Sequence, residues 1–152
     1  RDLGSNDPLL ITWNWDIISM PGSNTADACA LFDTNNNGFA NYSLCVTWDQ
    51  NQHQITGSPN LYSCSDTRVD RCAGATLITS TLSSSCSVGS SADDPFPTGD
   101  SSPNDTKATC SISLSDVGGA THASLLDVCS YPSVQPNSDP SDCKSFKQIK
   151  GI

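Results

Sequence analysis

The sequence predicts an all-β protein: a disulfide-stapled β-sandwich of about six to eight strands with long ordered loops. Three observations predict it. Every one of the sixteen acidic residues is Asp, and Glu is absent. Glu favours helices, whereas Asp, Asn and Ser bond back to nearby backbone and favour turns. Several stretches alternate apolar and polar residues with the period of two that marks a strand with one buried face. Finally, eight cysteines are spread from Cys29 to Cys143 with no CxxC pair. Zinc sites need tight Cys/His clusters, so dispersed cysteines point to disulfides and an oxidising, extracellular compartment.

The elements follow in order. In LLITWNWDII (9–18), Leu9, Ile11, Trp13, Trp15 and Ile17 share one face, and MPGSN closes the strand. YSLCVTWD (42–49) alternates again, with Tyr42, Leu44, Val46 and Trp48 together. NLYSC (60–64), ATLITSTL (75–82) and KATCSISLS (107–115) read as shorter strands. ASLLDVCSY (123–131) suits a strand or one helical turn, and the Asp-Val-Gly-Gly turn before it favours a strand. Residues 83–105 and 132–142 are rich in Pro, Gly, Ser and Asp and read as loops. Loops of that length are functional, stapled or disordered, and here cysteines sit in or beside both.

Eight cysteines allow roughly a hundred pairings, and sequence does not choose among them. The simplest is sequential: Cys29 with Cys45, Cys64 with Cys72, Cys86 with Cys110 and Cys129 with Cys143. Each pair would close a loop of about 8 to 25 residues, worth about 2–4 kcal/mol in the loop-entropy account.

At 152 residues the chain is large enough to bury one core. Residues 1–143 are expected to form that single domain, and 144–152 a basic tail. The chain begins at Arg1 without a methionine or a signal-peptide pattern, and reads as a processed or excised segment. No apolar run reaches the roughly 18 residues of a membrane-spanning helix, so no membrane span is expected. A net charge of −9 repels phosphate backbones, which excludes nucleic acid as a partner and favours cations.

A calcium ion is the cation with a motif behind it. In DTNNNGFAN (33–41), Asp33, Asn35 and Asn37 stand at positions 1, 3 and 5 of an Asp-x-Asn-x-Asn-Gly pattern. Gly38 fills position 6, where the backbone turns sharply; the Phe39 carbonyl falls at 7 and Asn41 at 9. Calcium takes six to eight hard oxygen ligands, and this spacing wraps a short arc of backbone around one ion. The segment resembles the first part of an EF-hand loop, as in dockerins and thrombospondin type-3 repeats. Position 12 departs from the pattern, because Leu44 stands where a bidentate acid belongs. An aspartate from elsewhere must therefore complete the site, and Asp27 in TADACALF is the expected one. Asn and Gly also suit a plain turn without an ion.

Other candidates carry less. Asp93, Asp94, Asp100 and Asp105 match no loop template and read as solvated charge. No G-x-S-x-G elbow accompanies His53 or His122, and no pair of aspartates stands out as a glycosidase pair, so catalysis is not expected. Arg68 and Arg71 among Asp66 and Asp70 read as a salt-bridged loop. Trp13, Trp15 and Trp48 could stack on sugars, but each lies on an apolar strand face, where core packing is the default. Asn41-Tyr-Ser43 and Asn104-Asp-Thr106 match the N-glycosylation pattern, the former in conflict with the metal reading.

The tail KSFKQIKGI holds three of the seven basic residues and no acid. Lys144, Phe146, Lys147, Ile149, Lys150 and Ile152 would suit strand addition to the sheet edge of a neighbouring, acidic copy, a head-to-tail contact that propagates as a filament.

Together, ADACALFDTNNNGFANYSLCV, CSDTRVDRC, DTKATCSISLSDVGG and CSYPSVQPNSDPSDC make residues 9–143 resemble a cysteine-rich β-domain of bacterial secreted and cell-surface proteins. The resemblance implies an extracellular, calcium-stabilised structural or adhesive module, with Asp33, Asn35 and Asn37 as ion ligands. The expected function is a non-enzymatic subunit of a cell-surface fibre, assembled through its termini with copies of itself. The alternative is a carbohydrate-binding module that engages surface glycans.

Overall fold

The computed structural model describes residues 8–15, 26–49, 54–55, 59–91, 105–118, 123–132 and 136–145. Those residues form two antiparallel sheets and no helix. Sheet A has the order β1-β8-β7, from β1 (Leu9–Trp15), β7 (Ser85–Ser91) and β8 (Asp105–Ile112). Sheet B runs β10-β9-β2-β3-β5-β6, with β4 (Gln54–Ile55) also paired to β3. Its other strands are β2 (Ala26–Asp33), β3 (Tyr42–Asp49), β5 (Asn60–Ser63), β6 (Thr76–Leu77), β9 (Ser124–Tyr131) and β10 (Asp142–Ser145).

The sheets close on each other as the alternation requires. Ile11, Trp13, Ala108, Cys110 and Ile112 from sheet A meet Ala28, Ala30, Phe32, Leu44, Val46 and Leu61 from sheet B. Leu10, on the other face of β1, is 67% exposed. The outer face of sheet B carries a second core: Cys29, Leu31, Cys45, Tyr62, Cys129 and Tyr131, with Cys72 from the segment after β5 packed onto them. Both faces of β2 are therefore buried. This strand was not foreseen, because a strand covered on both sides shows no polar–apolar alternation.

Three further expectations are corrected. β7 runs through a stretch read as loop, since a Ser-rich strand at a sheet edge has little apolar pattern to display. The expected strand over 75–82 shrinks to Thr76–Leu77, extended by one bond from the Ile78 N–H to the Leu61 carbonyl at 2.8 Å. The expected boundary between domain and tail falls inside β10, so Lys144 belongs to the sheet, opposite Val128. Residues 16–18 of the first expected strand lie outside the described residues.

The disulfides are Cys29–Cys45, Cys64–Cys72, Cys86–Cys110 and Cys129–Cys143, the sequential pairing. Three of them join directly opposed residues of neighbouring strands. Four disulfides fit an oxidising, extracellular environment.

Candidate metal centre

Residues 34–41 connect β2 to β3 as a hairpin, closed where the Asn41 N–H donates to the Phe32 carbonyl at 2.8 Å. The loop is wound around Asp33, whose side chain is fully buried. Asp33 Oδ1 accepts from the backbone N–H groups of Asn35 (3.0 Å) and Asn36 (2.7 Å), and Oδ2 accepts from that of Gly38 (2.7 Å). Such winding needs left-handed backbone at two points. Asn36 (φ 63°) and Gly38 (φ 87°) supply it, and these are the residue types that tolerate it best. Each Asn then props the next turn: Asn35 Oδ1 accepts from the Asn37 N–H at 3.2 Å, and Asn37 Oδ1 from the Phe39 N–H at 2.9 Å.

The amide groups of Asn35 and Asn37 converge on one atom. Both donate through Nδ2, each at 2.8 Å, to Oδ2 of Asp66. Asp66 lies in the loop closed by Cys64–Cys72 and is itself left-handed (φ 60°). Its Oδ1 is buried with no hydrogen-bond partner. Backbone bonds press the two loops together: the Ala40 N–H donates to the Arg68 carbonyl and the Cys64 N–H to the Asn41 carbonyl, both at 2.8 Å.

This changes the expected ligand set. Asp27 stands in β2, six residues before Asp33. At about 3.3 Å per strand residue it is about 20 Å away and cannot complete the loop. Asn41 does not join the cluster either: its Oδ1 accepts from the Thr34 N–H (2.7 Å) and hydroxyl (3.1 Å), locking the loop's base. The side chain of Phe39 is exposed, at 42%. Leu44, at the position of the missing acid, is buried in the inter-sheet core. The structure brings together Asp33, Asn35 and Asn37, and adds Asp66. No local spacing could have named Asp66, which is remote in sequence; the one signal was an aspartate inside a short Cys-closed loop.

No family model, curated protein or solved structure matches the chain. The residues themselves carry the reading.

Other candidates resolve differently. Asp127 lies close to the sulfurs of Cys129 and Cys143. Those sulfurs are bonded to each other, so they offer no thiolate, and sulfur is a poor partner for calcium. Burial pushes the Asp127 carboxyl above the usual carboxylate range. Arg71 pairs with Asp70 at 3.0 Å and with Asp139, and its bond holds the Asp70 carboxyl below that range. The salt-bridged loop is thus made by Arg71; Arg68 contributes its backbone carbonyl. Trp13 packs in the core, while the side chains of Trp15 and Trp48 lie outside the described residues. So do His53, His122, Asp93, Asp94, Asp100, Asn104, Phe146, Lys147, Ile149, Lys150 and Ile152.

Chemically, the cluster offers two carboxylates and two amides. Neither Asp33 nor Asp66 forms an ion pair with a cationic side chain among the described residues. A half-turn of the Asn35 and Asn37 amides would turn oxygen toward Asp66 in place of N–H, at the expense of the bonds their Oδ1 atoms accept from the Asn37 and Phe39 N–H groups. The residues fit a hard divalent cation.

Proposed function

We propose that the chain is a non-catalytic extracellular structural module of a cell-surface protein, whose hairpin loop binds calcium through Asp33, Asn35, Asn37 and Asp66. The observation that carries this reading is the Asp66 carboxylate, turned onto the loop with one oxygen buried and unpartnered. An orphaned buried carboxylate oxygen is costly, and a cation beside it removes the cost. The ion would supply charge neutralisation and cross-link the hairpin to the Cys64–Cys72 loop, which stabilises the fold and takes no part in a reaction.

Calorimetric titration of calcium into the chelated protein tests this. Wild type is expected to bind one ion per chain, and Asp66→Asn to lose most of the affinity. That variant keeps a single side-chain oxygen able to accept from both Asn35 and Asn37, so its chelated form should be as stable as wild type. Absence of binding heat, together with a melting temperature indifferent to calcium, would return the loop to a plain turn.

One observation favours assembly into a fibre as a second property of the same module. Among the described residues β1 pairs with β8 alone, which leaves the other edge of a seven-residue strand open to strand addition. Electron microscopy of the full chain and of a chain ending at Ser145 tests it. Identical self-association of the two would remove the tail from the contact.

A further inference from the structure

At the β1–β10 end of the sandwich, a cavity of about 230 Å³ opens between the sheets. The register shows what it offers. Ala28 stands opposite Ser130, Ser130 opposite Asp142, and Val128 opposite Lys144. Directly opposed residues share a face, and alternate residues of one strand do too. Ala28, Val128, Ser130, Asp142 and Lys144 therefore project from the same side of sheet B. Ala28 belongs to the core shared with Trp13, so that side faces sheet A, and all of these residues line the cavity.

Trp13 closes the cavity from β1, and its indole N–H is the telling group. The residue is only 9% exposed, and Nε1 is buried with no acceptor. A buried polar atom without a partner is unusual in a folded protein, where such groups nearly always find one. The indole N–H is satisfied if an occupant brings an acceptor oxygen.

The wall chemistry narrows the occupant. Ala28, Val128 and the Trp13 ring make an apolar floor. Lys144 and the indole N–H donate, and the Asp142 carboxylate accepts. A net anion meets Asp142 and a chain of charge −9, whereas a net cation meets Lys144. A neutral molecule with hydroxyls around an apolar face meets neither penalty. The volume lies below the about 300–1,000 Å³ of sites for drug-sized ligands, which limits the occupant to one small ring.

We propose that this cavity binds a single neutral sugar residue. The Trp13 N–H and Lys144 donate to ring hydroxyl oxygens, and Asp142 accepts from a hydroxyl. Tryptophan enters through its N–H group instead of a stacked exposed ring, so a core tryptophan serves. The site is independent of the calcium loop, and either can fail without the other.

The test is NMR of the ¹⁵N-labelled full chain titrated with free glucose, galactose, mannose and N-acetylglucosamine, reading the indole N–H resonances. The Trp13 resonance is assigned by its loss in Trp13→Phe. At least one sugar is expected to shift it saturably at millimolar concentration. Asp142→Asn and Lys144→Gln, both at exposed rim positions, are each expected to weaken that sugar about ten-fold, the worth of one charge-assisted hydrogen bond. No shift with any of the four sugars would overturn the proposal, as would a shift indifferent to both rim variants. A saturable shift with sodium acetate and none with sugars would replace the neutral ligand by an anion and equally overturn it.

Discussion

Replacing Asp33 by alanine tests the account of the hairpin most directly, because the carboxylate organises the loop whether or not an ion is bound. Three backbone N–H groups donate to it at 2.7–3.0 Å. A hydrogen bond to a charged acceptor contributes about 1.5–3 kcal/mol, so three would sum to about 5–9 kcal/mol if independent. Two corrections reduce the sum. Asn35 and Asn36 are exposed, so water can reach their freed N–H groups; Gly38 is half-buried and rehydrates less well. The variant also no longer desolvates a fully buried carboxylate. About 2–4 kcal/mol of destabilisation remains. Urea denaturation in the presence of a chelator measures it without any metal contribution. With a slope of about 2 kcal/mol/M, in the middle of the usual urea range, the midpoint should fall by about 1–2 M at unchanged slope. Asp33→Asn, which keeps one acceptor, should fall between the two. A loss for Asp33→Ala below about 0.5 kcal/mol, the size of an ordinary surface substitution, would refute the view that the loop is built on this side chain.

Three further outcomes are expected. Gly38→Ala should cost about 1–2 kcal/mol by the same urea assay, from backbone strain alone, because a Cβ there meets no atom within 4 Å; a larger loss would mean a steric clash that the loop does not contain. Tyr131→Phe removes the 2.8 Å bond from the phenol to the Asp70 carbonyl, and should lower stability by about 1–2 kcal/mol with the fold intact by circular dichroism. Asp127→Asn should stabilise the protein near neutral pH and match wild type in strong acid, as read by melting temperature across pH. The sign follows from burial raising the folded-state pKa. Below the ordinary carboxylate value both states hold the proton; as pH rises the unfolded chain releases it first, and the penalty on folding is complete above the raised folded value. A variant equally stabilised at every pH would contradict this.

What could be read in advance divides along physical lines. β3 was legible to the residue because its inner face is apolar and Asp49 ends it. β1 was legible for a similar reason, since one face of it meets a core; β9, which meets both cores, was read instead from the Asp-Val-Gly-Gly turn before it. β2 was not, although it is the central strand: Ala28 and Phe32 face one core while Cys29 and Leu31 face another, so the alternation vanishes. β7 and β10 are edge strands of small polar residues and carry almost no pattern. The same limit governs the site. Asp33, Asn35, Asn37 and Gly38 are neighbours in sequence, and their spacing reports their geometry. Asp66 joins them only because β5 returns beside β3 and a disulfide turns the following loop back, and neither is local. Asp27 was a wrong choice for the same reason: it is near in sequence, but strand geometry carries it away.

If the hairpin binds calcium as proposed, the placement of the disulfides determines what removal of the ion should do. Cys143, Cys129, Cys29 and Cys45 stand at one level across β10, β9, β2 and β3. The Cys64–Cys72 loop packs on that row and is anchored at its far end, where the Cys72 N–H donates to the Pro136 carbonyl at 2.7 Å. Asp66 is therefore held against the hairpin by covalent and backbone links that need no ion. A site built this way asks for little ordering when the ion enters, unlike small metal domains that are unfolded without their ion. Loss of calcium should then remove only the linkage term, about 2.7 kcal/mol for calcium at a hundred times its Kd, and lower the melting temperature while the far-ultraviolet spectrum stays that of a β-protein. Reduction of the disulfides is the perturbation expected to dissolve the loop cluster, and calcium affinity should fall with it. If chelation alone unfolded the chain, or if the reduced protein bound calcium as tightly as the oxidised one, the cross-linked frame would not be what positions Asp66.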